Sequence, residues 1–491
     1  MMFREMTLRR ASALALVSAL SAMLLACTTV GPDYRVPPQA VVNRSSASAA
    51  LAGSEESAFR TEPLPSQWWR LYRDDKLDRL IEKAFAANTD LRAASANLAR
   101  ARAVLGETET ARRPTVGVSA APAFGRASAA AKGLPEPLPD MWTHDAGISA
   151  SYQVDLFGKI RRAVEAAGAD VQAAQAAYDL VRITVAADTA RAYADMCSAG
   201  QQIKVAQHSV DLQQQFLEMN EQRVHAGRGT VLDLSRARSQ LEQLRAAVPP
   251  LQAQRRSALY RLAVLTGEVP GTLPADIEQC TVPPKLADPI PVGDGAALLR
   301  RRPDIRQAER ALASATARIG VATADLYPSI NLGLSAGSTG MLSQFGDANA
   351  FRWSFGPLIS WTLPATGTAR SRIAQAEAGS DAALAHFDGA VLNALRETES
   401  ALAVYARELD RNASLKEARD QSALAASQAR TLYRYGRTDF LTTLDADRTL
   451  ASAEIALSVS DAQLATDQVA LFLALGGGWE QDANGSAAGG Q

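Results

Sequence analysis

Aromatic residues make up only 6% of this 491-residue chain, which holds four histidines, three cysteines and a formal net charge of −1. So small a net charge leaves no electrostatic footprint for nucleic acid. His144, His208, His225 and His386 are scattered without metal-ligand spacing, and each reads as a surface or packing residue. No Gly-x-Ser-x-Gly nucleophile elbow and no phosphate loop stands out, so an enzyme is not expected, and neither is a metal or cofactor. The amino-terminal apolar run, Ala11 to Leu25, is shorter than the roughly 20 residues that a membrane-spanning helix needs.

What the chain does have is a long helical hairpin, twice. From about Lys159 an apolar residue recurs at 4,3 spacing through Val171, Tyr178, Val185, Met196, Val210 and Leu217 to Val224. The chain turns at Gly227-Arg228-Gly229 and returns at the same spacing through Leu234, Leu241, Val248, Leu251 and Leu262 to Leu265. Both arms therefore carry a coiled-coil seam. A helix from Lys159 to Ala226 would be roughly 100 Å long, deeper than any compact globular core. The second hairpin turns at Gly436, an offset of 209 from Gly227, which also superposes Ala446 on Ala237 and Leu450 on Leu241. A second offset, 214, lays Asp304-Ile305-Arg306 over Asp90-Leu91-Arg92, Gly320 over Gly106 and Pro328 over Pro114. The chain is two homologous halves, and abundant alanine at the seams lets helices approach closely.

Arg4, Arg9 and Arg10 precede the apolar run, which ends in Leu24-Leu25-Ala26-Cys27. This reads as a lipoprotein signal, with Cys27 the acylated first residue of the mature chain and Thr28 after it consistent with an outer-membrane address. The covalent lipid is the only attached group expected. Cys197 and Cys280 then lie in an oxidising compartment, where they are either buried free thiols or a disulfide, the latter being the expectation; without a third ligand the metal reading is poor. The arginines of Arg300-Arg301-Arg302-Pro303 precede a helix start and are expected to be solvated. The whole reading divides the chain into a signal segment (1–26), an acylated extended segment (27–75), a first repeat (76–265), a linker (266–297), a second repeat (298–475) and a flexible tail (476–491).

Period-2 alternation appears at Thr115–Ala120 and Ile148–Val154, and again at Ile330, Leu332, Leu334 and Phe351, Trp353, Phe355, giving four strands in two hairpins. The loops expected between them, Gly125 to Asp140 and Gly337 to Asn349, are rich in small residues. Four strands cannot close a membrane barrel, since the smallest need about eight. Three chains would supply twelve strands and six helical hairpins, a barrel and a tube in one conduit.

Cys27 with Gly31-Pro32-Asp33-Tyr34, Tyr152-Gln153-Val154-Asp155-Leu156-Phe157-Gly158, Leu298 to Ile305, and Ala474-Leu475-Gly476-Gly477-Gly478-Trp479 resemble the TolC-type outer membrane factors, in their lipoprotein OprM/NodT-like branch. The resemblance covers nearly all of the mature chain. It implies a mainly α homotrimer with a twelve-stranded outer-membrane β-barrel and a periplasmic helical tunnel. Such a protein is the exit duct of a tripartite efflux system, with a periplasmic adaptor protein and an inner-membrane RND pump as partners. Exits for type I protein secretion or metal-cation efflux are the alternatives, the latter supported only by Met219 near the tip; a purely structural coiled-coil lipoprotein would need no strands. Trp361-Thr362-Leu363-Pro364-Ala365-Thr366-Gly367 departs from the family pattern at the last strand-to-helix junction. The resemblance further implies a charged aperture at the hairpin tips, matching Asp233, Asp445 and Tyr433 here. Thr442 and Thr438 stand where an aspartate and an arginine are frequent, and Arg434 and Arg437 are the candidate replacements. The 209 offset adds that Asp445 falls over Arg236, which puts opposite charges at one height in the two hairpins.

Overall fold

The structure is a computed structural model that describes residues 29–133, 135–361 and 366–477. The expectations for Cys27, for the tail beyond residue 477 and for residues 362–365 lie outside the described residues.

In chain order the main elements are α1 (Asp75–Ala87), α2 (Thr89–Thr110), β1 (Thr115–Gly125), β2 (Met141–Val154), α3 (Lys159–His225), α4 (Val231–Ala246) and α5 (Val248–Leu265). The second half follows with α6 (Gly295–Arg301), α7 (Pro303–Ala324), β3 (Ser329–Met341), β4 (Phe351–Ser360), α8 (Thr366–Arg434) and α9 (Phe440–Ala474). The internal repeat is visible in these bounds. Helices α2 and α7 are each 22 residues long, and their first residues, like those of β1 and β3, stand 214 apart. No described helix is long and apolar enough to cross a membrane.

The chain divides into two compact units, one of residues 29–37, 99–173 and 308–386, the other of 38–98, 174–307 and 387–477. The first holds an antiparallel sheet in the order β1-β2-β3-β4. Strand β3 runs on to Met341, so Gly337–Met341 is strand and the connection to β4 is shorter than the loop expected from its small residues. The same unit clasps the segment after residue 28. Buried Arg162 donates to the carbonyls of Val30 (3.1 Å) and Gly31 (3.1 Å) and to Asp33 Oδ1 (2.7 Å), while Tyr34 donates its hydroxyl to Glu309 (3.1 Å).

The second unit is built on an apolar core. The Asp74 side chain accepts from the amides of Lys76 and Leu77 and so starts α1, whose Leu77, Leu80, Ile81 and Ala84 are buried. They join Trp68, Tyr193, Met196, Leu262 and Phe472. Asn88 ends α1 and caps α2 by accepting from the amides of Asp90 and Leu91. Segment 38–65 lies along α8, where the amides of Val41 and Ala52 donate to Asp388 and Glu399.

Two expectations are corrected in this unit. The return arm of the first hairpin is not one helix but α4 and α5, broken at Ala247. Pro249 and Pro250 lack the N–H groups that would bond back across the break, and they fit only the first turn of a new helix. Arg302 is not solvated. It is 8% exposed, donates to Asp304 Oδ2 (2.6 Å), Glu397 Oε2 (2.9 Å) and the Ala474 carbonyl (2.9 Å), and ties the start of α7 to α8 and to the end of α9. Arg301 is half-buried and donates to the Leu64 carbonyl, leaving Arg300 the exposed member.

Candidate functional site

The register of the sheet sorts its side chains onto two unlike faces. Val118 pairs with Ile148, Phe124 with Trp142, Ala336 with Trp353 and Leu334 with Phe355. All of these lie on one face, and Val118, Trp353 and Phe355 are 79%, 70% and 69% exposed. The opposite face carries Thr115, Ser119, Ser149, Asn331, Ser335 and Ser354. Apolar outward and polar inward alternation of this kind marks a strand that faces lipid on one side and an aqueous lumen on the other. His144 is polar yet lies on the apolar face, as does Ser338. It is 5% exposed, with Nε2 2.8 Å from Ser338 Oγ and the Phe345 ring against it. Among the described residues neither outer edge, β1 or β4, has a strand partner.

The Gly-x-Ser-x-Gly spacing does occur once, at Gly333–Gly337, contrary to expectation. It lies within β3, whose Ser335 hydroxyl meets that of Ser354 at 2.8 Å. An elbow needs a sharp strand-to-helix turn, so this run is sheet and not nucleophile. Where the strands meet the helices, a recess of about 470 Å³ is lined by Gln153, Tyr327, Trp361 and Asp325 among others. Asp325 there is held between Lys159 (2.6 Å) and Arg372 (3.2 Å).

The two hairpins end in matching turns. Gly227 and Gly436 have φ of 70° and 68°, the left-handed conformation that ends a helix, and the following amides of Arg228 and Arg437 each reach back to a carbonyl at 2.8 Å. The caps that start the return helices are reciprocal. In the first, Thr230 Oγ1 accepts from the Asp233 amide (3.1 Å) and donates to its carboxylate (2.7 Å). In the second, Asp439 accepts from the Thr442 amide (2.8 Å) and hydroxyl (3.0 Å), which lowers the Asp439 pKa. Asp and Thr have exchanged places while the hydrogen bonds are kept, which accounts for threonine at position 442.

Of the expected aperture residues, Asp233 and Arg236 come together at 4.0 Å. Arg434, Arg437 and Asp445 are exposed, and Asp445 has no ion-pair partner among the described residues. Tyr433 is enclosed within the single chain. It is 4% exposed, donates to Asn220 Oδ1 (2.7 Å), lies against Phe216 and Phe440, and has the Arg223 guanidinium 4.4 Å over its ring. Burial raises the pKa of its phenol. Asn220, one of three polar residues in the apolar seam of α3, was the available signal for this contact. Nothing in the spacing pointed to Arg223, or to the pair of Arg430 with Asp447 (2.8 Å). Cys197 and Cys280 are bonded in the structure, with sulfurs 2.08 Å apart and 83 residues between them in sequence.

Three comparisons bear on this geometry. The solved structure of the outer-membrane channel OprN superposes with a TM-score of 0.86 at 37% identity, covering 92% of this chain and 100% of that one. The Probable outer membrane lipoprotein SilC of Salmonella typhimurium is 28% identical over 465 residues, 93% of this chain and 97% of its own length. The solvent efflux pump outer membrane protein SrpC of Pseudomonas putida is 29% identical over 473 residues, 94% of this chain and 97% of its own. The outer membrane efflux protein pattern matches residues 80–268 and 296–477, the same two stretches that the sheet register and the paired turns reveal as a repeat, and this chain belongs to that family.

Proposed function

We propose that this outer-membrane efflux channel is the exit duct of a tripartite RND-type system, carrying drugs or other small amphiphilic compounds from the periplasm to the exterior. The observation that carries this reading is the sheet with one apolar face, one polar face and two unpaired edges. Edge β4 of one copy pairs with edge β1 of the next, so that three copies close a twelve-stranded barrel and set six helical hairpins into a tunnel. A periplasmic adaptor and an inner-membrane pump are the partners, and a lipid on Cys27 adds an anchor, in keeping with the lipoprotein name of SilC. The solvent efflux named for SrpC supports small amphiphiles as cargo. Met219, the residue that suggested a metal-cation exit, packs against the cluster of Phe216, Tyr433 and Phe440.

Detergent-purified protein is expected to sediment as a trimer, to carry metabolically incorporated fatty acid and to conduct in planar bilayers. At the tip, Asp233, Arg236, Arg434, Arg437 and Asp445 form the charged aperture. Arg236→Glu, which sets a second carboxylate beside Asp233, is expected to favour the open tip and raise conductance. A monomeric, non-conducting protein would overturn the duct reading, and an Arg236→Glu trimer conducting as the parent does would overturn the aperture.

We further propose that the Cys197–Cys280 bond forms in the cell envelope. It pins the linker against α3, where a Cβ on Gly200 would meet the Cys280 carbonyl oxygen at 2.4 Å. Replacing both cysteines with serine is expected to cost about 2–4 kcal/mol, read by denaturant titration. Peptide mapping that found two free thiols in envelope-derived protein would refute it.

A further inference from the structure

Among the described residues, the polar face of the four strands carries two charged side chains, Asp145 on β2 and Arg352 on β4. Strand β3 lies between them, yet Arg352 Nη2 is 2.5 Å from Asp145 Oδ1. The bridge is possible because the ground it crosses is bare. Gly337 faces Arg352 in one register and Gly147 in the other. Neither glycine has room for a side chain: a Cβ on Gly337 would meet the Ala146 carbonyl oxygen at 2.4 Å, and one on Gly147 would meet that of Ala336 at 2.9 Å. The arginine therefore lies over a lane of backbone to reach its partner.

The two side chains remain 46% and 54% exposed, so the pair adds little to stability. Its electrical effect is larger, since it cancels the only charges among the described residues of that face. The pair sits near the loop ends of the strands, where the neighbouring Arg126 and Asp140 also cancel each other at 3.0 Å. We propose that Asp145 and Arg352 set the charge preference of the outer part of the conduit, holding it neutral so that anionic and cationic permeants pass alike. In a trimer three such bridges form one ring, and an unpaired member leaves a ring of three like charges. This inference rests on the conduit reading.

The test uses Ser354→Cys, on the same face and one pleat further from the loop end than Arg352. The rates at which anionic sulfonatoethyl and cationic trimethylammonioethyl methanethiosulfonate modify the introduced thiol are compared, with reagent added outside intact cells and the site located by peptide mapping. Adding Asp145→Asn is expected to raise the anionic-to-cationic rate ratio by roughly three- to tenfold, and Arg352→Gln to lower it by as much. The double variant is expected to return to the parent ratio, which a merely structural bridge would not produce. Ratios unchanged in both single variants, with the introduced thiol still modified, overturn the proposal alone. An introduced thiol that neither reagent reaches overturns the conduit reading with it.

Discussion

Replacing Arg302 with leucine is expected to destabilise the folded protein by about 2–4 kcal/mol, because it removes a buried guanidinium from two partly exposed carboxylates and a buried carbonyl. Asp304 and Glu397 would be left facing each other without the guanidinium, and the Ala474 carbonyl would lose its donor. The arginine is held charged by these two carboxylates against the cost of burial, its pKa standing above the usual arginine value. Lysine, with one ammonium in place of a planar fork, cannot reach all three acceptors and is expected to restore only part of the loss. Denaturant titration of the detergent-solubilised protein measures this; a leucine variant within about 1 kcal/mol of the parent would show that the cluster does not hold the repeat junction together.

Trp68→Ala is expected to cost about 3–5 kcal/mol, for a different reason. Its ring is fully buried, stacks on Phe472 with centroids 4.6 Å apart and meets Trp69 and Tyr72 edge-on. Truncation opens a cavity that the surrounding helices are too stiff to fill. The indole Nε1 has no hydrogen-bond partner among the described residues, so the ring acts through its volume. Trp68→Phe is accordingly expected to lose under about 1.5 kcal/mol. Equal losses in the two variants would show that the nitrogen matters and the packing account is wrong.

The long elements were legible because their signals are periodic. Residues spaced 4,3 along α3, from Val185 to Leu217, are buried or half-buried throughout, and the period-2 runs became strands with the faces their alternation implies. The seam of α9 shows the limit of this, for Leu441 and Ile455 remain 53% and 40% exposed in the single chain. What the sequence does not display depends on contacts between residues far apart. Arg302 reads as one of three surface arginines until Glu397, 95 residues away, supplies a partner. Tyr433 finds its hydrogen-bond partner in Asn220, 213 residues away. The break at Ala247 was local and available, since Pro249-Pro250 is a strong stop, but the unbroken apolar spacing across it concealed the signal. The charge bridge had no signal in spacing at all, because two glycines on a third strand decide whether Asp145 and Arg352 can touch.

The unpaired outer edges of β1 and β4 have a consequence for how the protein comes to exist. A lone chain carries two rows of open backbone donors and acceptors beside an apolar face, a template for any other exposed strand. Its survival therefore depends on how fast it meets its own kind, so yield should fall more steeply than in proportion when synthesis is slowed. Stability in such a system is defined at a fixed protomer concentration, which variant and parent must share. A substitution that weakens a single chain, far from any edge, should then appear first as missing assembled channel at low expression and only later as lost transport.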